Sequence, residues 1–164
     1  MVEARQGQRQ SRYEARLAAV QALYQMELSA CDVVDVIEEF VTHRFGHEAA
    51  HYRNPDPEHF QNVLRGVVAH QGEIDKAVDR CLATGWTLGR LDSTLRALLR
   101  AGTYELFHRA DIPARVIINE YVEVAHAFFD DAEPSLVNGV LDRLAHELRG
   151  QEFSADEKEG NDPA

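Results

Sequence analysis

Apolar residues recur through this chain at spacings of three and four, the repeat of a helix that buries one face, and almost nowhere in the alternation of a strand. Leu17, Val20, Tyr24 and Leu28 make one such stripe. Val33, Val36, Ile37, Phe40 and Val41 make a second, behind Asp32, whose carboxylate can cap a first turn. That helix is predicted to end near Gly46 or a few residues later. After the proline-bearing loop YRNPDP, a third stripe uses Phe60, Val63, Leu64, Val67, Val68, Ile74 and Val78. Thr84-Gly85 interrupts the pattern, and Leu91, Leu95, Leu98, Gly102 and Leu106 resume it, with Gly102 pointing to a close helix–helix approach. A fifth helix is expected to start around Pro113 and use Ile117, Tyr121, Val124 and Phe128. The last starts near Pro134 and uses Val137, Val140, Leu141, Leu144 and Leu148. The pattern predicts an all-α fold, a compact bundle of about six or seven helices.

Such a chain, at 164 residues, suits one domain. No run approaches the ~18 apolar residues of a membrane helix, and the polar N-terminus has no apolar leader segment. Cys31 and Cys81 form no motif and read as reduced, half-buried residues, so a cytoplasmic protein with no membrane partner is expected. The net charge of −11 argues against nucleic acid if taken alone, but its distribution is uneven. Residues 1–16 carry four arginines against two glutamates, while residues 150–164 carry five acids and one lysine. Residues 1–10 are expected to form a flexible basic segment, 11–149 the helical domain, and 150–164 a disordered acidic tail.

Two motifs suggest chemistry. HEAAH, His47 to His51, fits the zinc-protease pattern of two histidines one helical turn apart with a general-base glutamate between them. A catalytic zinc also needs a third ligand, and the positions that could supply one hold Asn54 and Pro57, while Pro55 breaks a continuing helix. The motif therefore reads as a histidine-rich helix end, with His43 adding a further pair for adventitious metal. His108, His126 and His146 read as scattered helix histidines, and Glu120 with Glu123 as a solvated acidic face. No phosphate loop, nucleophile elbow or C-x-x-C is present, so no catalytic residue, metal ligand or cofactor is assigned.

The second motif is Arg5, Arg9, Arg12 and Arg16, at spacings of four, three and four, which share one helix face. Arginine's planar fork suits phosphate, and glutamines at 6, 8 and 10 add neutral donors. An RNA-contacting helix that orders on binding and a merely solvated terminal helix are equally compatible with this composition.

The blocks AAVQALYQMELS (18–29), FQNVLRGV (60–67), LRALLRAGTYELFHRADIPARVIINEYVEVAHAF (95–128) and LVNGVLDRLAHELR (136–149) resemble the transcription antitermination factor family NusB, in the same order and separation. Ile118-Asn119-Glu120 and Val137 to Asp142 carry its most specific signature. The resemblance implies two three-helix halves, no catalytic activity and no cofactor. It implies pairing with ribosomal protein NusE, binding of single-stranded boxA RNA in ribosomal RNA leaders, and action on elongating RNA polymerase with other Nus factors. It places RNA contacts on Arg12 and Arg16, with Arg5 and Arg9 upstream, and on Leu136 and Asn138; it places Tyr24 on the NusE-facing surface. Leu136 and Tyr24 also fit the core, and Asn119-Glu120 fits a cap or a buried hydrogen bond. Replacing Arg12 and Arg16 with alanine is expected to lower RNA affinity several-fold and leave the fold intact. Two other readings stand beside this one: a helical RNA-binding accessory module for ribosomal RNA maturation, and a zinc-dependent hydrolase built on HEAAH.

Overall fold

The computed structural model describes residues 2–46 and 52–154. They form six α-helices: α1 (Val2–Ser29), α2 (Val33–Glu39), α3 (Pro57–Cys81), α4 (Ser93–His108), α5 (Ala114–Phe128) and α6 (Ala132–Leu148). A π-helical turn, Phe40–Arg44, extends α2, a 3-10 turn, Leu88–Arg90, precedes α4, and residues 150–154 form a last helical turn. Among the described residues there is no strand. The two sets α1–α3 and α4–α6 share one core, with α3 packed along α4.

Aspartates cap three of the helix starts. Asp32 accepts from the Val34 amide, Asp56 from Glu58 and His59, and Asp92 from Thr94 and Leu95. Each satisfies amides that have no partner in a first turn, and Pro57 fills the next position of α3. The Ser11 hydroxyl donates to the Asn54 carbonyl at 2.9 Å, and the Asp56 amide donates to the Ser11 carbonyl at 3.0 Å. The entrance to α3 is thereby fixed against the first third of α1.

Two glycines let helices close on one another. A Cβ at Gly102 on α4 would lie 2.9 Å from Leu141 of α6, which is the close approach its place on the stripe predicts. Gly66 on α3 is tighter still: a Cβ there would lie 2.0 Å from the ring of Tyr104 on α4. An alanine normally gains up to about 1 kcal/mol over glycine in a helix, but here it would have to displace a buried ring.

Several periodic assignments shift in three dimensions. The buried face of α1 is the alanine-rich set Ala15, Ala18, Ala19, Val20, Ala22 and Leu23, whereas Tyr24 and Leu28 are exposed. Val68 and Leu148 are also exposed, and Leu91 precedes α4. Cys31 is exposed and Cys81 half-buried; both are free thiols.

Candidate functional site

The four arginines do share a face of α1, and that face turns inward as the helix enters the bundle. Arg5 is exposed, and the Arg9 side chain is 74% exposed while its Nε donates to Glu120 at 2.9 Å. Arg12 is half-buried, and Arg16 is 2% exposed, among the largest fully enclosed side chains of the protein. The geometry is a helical one: Ala19, Val20 and Leu23 continue the arginine face one and two turns on, and they are core.

Arg16 serves a carboxylate inside the protein. Its Nε and Nη2 each donate to Glu105 of α4 at 2.9 Å, a two-pronged pair. The Tyr121 hydroxyl of α5 donates to the same carboxylate, and His59 Nε2 of α3 lies 3.1 Å from it. Arg109 Nη1 faces the other His59 nitrogen, Nδ1, at 3.4 Å, which assigns the ring proton to Nε2 and makes His59 a donor to Glu105. Burial alone would push the Glu105 carboxyl up. Hydrogen bonds from His59 and Arg16, and the Arg16 charge, overcome burial and hold it well below the ordinary carboxylate range. Burial beside Glu105 pushes the Tyr121 phenol well above its ordinary value. Four helices, α1, α3, α4 and α5, meet on this one carboxylate.

Arg16 Nη1 also lies 3.9 Å from Glu120, the acceptor of Arg9. Glu120 is 3% exposed, so it is not the solvated acid that its pairing with Glu123 suggests; it accepts a part-buried hydrogen bond from Arg9 instead. A groove of about 460 Å³ runs over it between α1 and α5, lined by Gln6, Arg9, Gln10, Tyr13, Glu120 and Glu123.

Arg12 looks the other way, into a second open cavity of about 290 Å³ shared with Asp56, Glu58, His59, Asn62 and Arg109. Its Nε is buried and finds no hydrogen-bond partner among the described residues. Arg109 is held by Asn62 Oδ1 at 3.0 Å and by both oxygens of Asp111 at 3.0 Å. The Arg109 hydrogen bonds draw the Asp111 carboxyl down to about 2. Sequence patterns do not reveal this half of the site, Arg109 with His59 and Asn62, because its members lie 50 and 47 residues apart along the chain and share no local motif.

The remaining expected positions are dispersed. Leu136 is half-buried against the core, and Asn138 is exposed on α6. A Cβ at Gly139 would meet open space, so the Asn138-Gly139 pair does not serve close helix packing. α6 packs on α3, α4 and α5, and α1 on α2, α3, α4 and α5. Tyr24 is 38% exposed, near Leu28 at 65% on the same face of α1. HEAAH and the acidic run after residue 154 lie outside the described residues.

Residues 13–146 match the NusB family. The transcription antitermination protein NusB of Rhizobium rhizogenes is 51% identical over 139 residues, covering 84% of this chain and 87% of that protein. The protein of the same name from Maricaulis maris is 50% identical over 144 residues, 87% of this chain and 90% of its own. Among solved structures, T. maritima NusB superposes with a TM-score of 0.72 at 32% identity, covering 87% of this chain and 96% of that one. A crystal structure of the antitermination factors NusB and NusE in complex with double-stranded RNA superposes with a TM-score of 0.68 at 25% identity, covering 84% and 97%. Matched in sequence over most of its length and in the packing of its six helices, the chain belongs to the NusB family.

Proposed function

We propose that this chain is a cytoplasmic, non-catalytic transcription antitermination factor that pairs with ribosomal protein NusE. Together the two bind boxA RNA in nascent ribosomal transcripts and help RNA polymerase, with other Nus factors, resist termination. The observation that carries the reading is the close likeness, over nearly the whole fold, to a NusB solved together with NusE and RNA. No described helix is long and apolar enough to cross a membrane, and the enclosed polar cluster is committed to holding four helices together, without an accessible nucleophile.

In this reading Arg5, Arg9 and Arg12 position the RNA backbone, and bases are read on a surface completed by NusE. Phosphate contacts alone carry no sequence information, which is the physical reason for a partner on an acidic protein. Arg16 supports the site from below by fixing the inward turn of α1. Leu136 and Asn138, at the start of α6, are assigned to a second RNA contact. The complex in the related crystal structure holds a duplex, so single-stranded and duplex forms of the same RNA belong in any binding test.

Tyr24 and Leu28 are assigned to the NusE face, being large apolar groups left uncovered one turn apart. Replacing both with alanine is expected to weaken NusE binding by at least about tenfold in calorimetry, since a buried aromatic anchor commonly carries about 2 kcal/mol or more. The melting temperature should stay put, because neither residue is core. Unchanged affinity would remove this face from the interface.

A further inference from the structure

We propose that His70, Glu73 and His108 form a binding site for a divalent transition-metal ion of the zinc class, clamping α3 to α4. His108 is not the isolated histidine its sequence context suggests. His70 Nδ1 lies 3.7 Å and His108 Nε2 3.8 Å from the same oxygen, Oε2 of Glu73, and the three ligand atoms lie within 4.8 Å of one another. Both distances are too long for hydrogen bonds. They are near the ~3.4 Å that separates ligand atoms around a tetrahedral zinc with bonds of about 2.0–2.1 Å. Two imidazoles and one carboxylate leave a fourth position for water, and this donor set suits zinc, cobalt and nickel over magnesium or calcium.

The backbone supplies an independent observation. His70 breaks helical geometry in the middle of α3, with φ −119° and ψ 19°. Here the irregular residue is the one whose ring stacks on His108 of the neighbouring helix, at 4.0 Å between centroids and 25° between planes. The Tyr104 ring, wedged over Gly66, stacks near both imidazoles at 6.5 Å and 5.4 Å. The side chains are 41% (His70), 49% (Glu73) and 31% (His108) exposed, so an ion reaches them directly. Binding requires the stacked rings to swing apart so that both lone pairs converge, a rotation that half-exposed side chains can make.

The test uses the tag-free full-length chain, stripped of metal, titrated with zinc chloride by calorimetry and with cobalt(II) by visible absorption. One equivalent of zinc should bind and raise the melting temperature by linkage to the folded state. Cobalt should give the strong visible bands of a four-coordinate site. His70→Ala, His108→Ala and the exposed Glu73→Gln should each lower affinity at least tenfold while leaving the metal-free melting temperature near that of the parent. The paired variant His47→Ala/His51→Ala should bind as the parent does. Absence of binding, binding that survives His108→Ala, or binding abolished by the His47/His51 pair would overturn the proposal.

Discussion

Replacing Arg16 with alanine lowers the melting temperature by at least about 6 °C, the largest stability loss expected from any single arginine of the N-terminal helix. The magnitude follows from what remains behind. Glu105 is fully enclosed, and removing one partner of a buried ion pair leaves an uncompensated charge that costs roughly 3–5 kcal/mol. For a domain of this size each kcal/mol moves the midpoint by about 2–4 °C. The sequence-based expectation that alanine at Arg12 and Arg16 together leaves the fold intact takes both side chains as surface groups, whereas the Arg16 guanidinium belongs to the core. A double variant, Arg16→Met with Glu105→Gln, should lose markedly less than the two single changes added together, because it removes both charges and keeps an acceptor for His59 and Tyr121.

Acid provides a second reading of the same cluster. The folded Glu105 carboxyl titrates well below its ordinary value of 4.5, so its contribution is complete above that pH and is lost as the pH falls below it. Between pH 4.5 and the acid transition, the double variant should lose stability less steeply than the parent. A melting temperature within about 2 °C of the parent for Arg16→Ala would contradict this account of the core.

The second large effect is on RNA. Arg5→Ala, Arg9→Ala and Arg12→Ala combined should weaken RNA binding by about ten- to a hundredfold, taking roughly 0.5–1 kcal/mol for each partly exposed charge contact. The slope of log affinity against log salt should flatten by about 2, at roughly 0.7 per phosphate on a single strand. The melting temperature should change little. Arg5 is exposed, the Arg9 pair is open to solvent on the arginine side, and Arg12 Nε has no partner among the described residues to lose. Loss of affinity with an unchanged salt slope would mean that the arginines act through structure and not through phosphate.

The contrast between Arg12 and Arg16, one turn apart, marks what this sequence discloses about itself. Periodicity locates helices well, because a three- to four-residue repeat of apolar groups matches the turn of a one-sided helix and no strand, and Asp32 and Pro113 mark starts that the structure keeps. Periodicity also places all four arginines on one face. It cannot say how deep that face goes at each turn, since depth depends on which helices cross it. Glu105 pairs with Arg16 from 89 residues away, and His59 and Tyr121 join the same carboxylate from positions 43 and 105 residues from Arg16 (the differences of their residue numbers), so no local pattern links them. Glu120 misleads for the same reason: paired with Glu123 it looks solvated, but Arg9 and Arg16 approach it from another helix. The exposure of Tyr24 and Leu28 is the reverse case. They satisfy the apolar repeat, yet they lie on a side of α1 that stays open to solvent, and the small face of Ala15, Ala18, Ala19 and Ala22 does the packing. Gly102 is legible because it interrupts a leucine stripe; Gly66 is not, because its partner is an aromatic ring on another helix.

The most direct test of the central claim is fluorescence anisotropy of a labelled boxA RNA, as a single strand and as a duplex, against a scrambled RNA, with and without purified NusE. Modest, salt-sensitive binding is expected of this chain alone, with little preference between sequences. With NusE present, tighter binding that favours boxA over the scrambled strand is expected. Equal affinity for both sequences in the presence of NusE, or no gain from NusE at all, would contradict the claim.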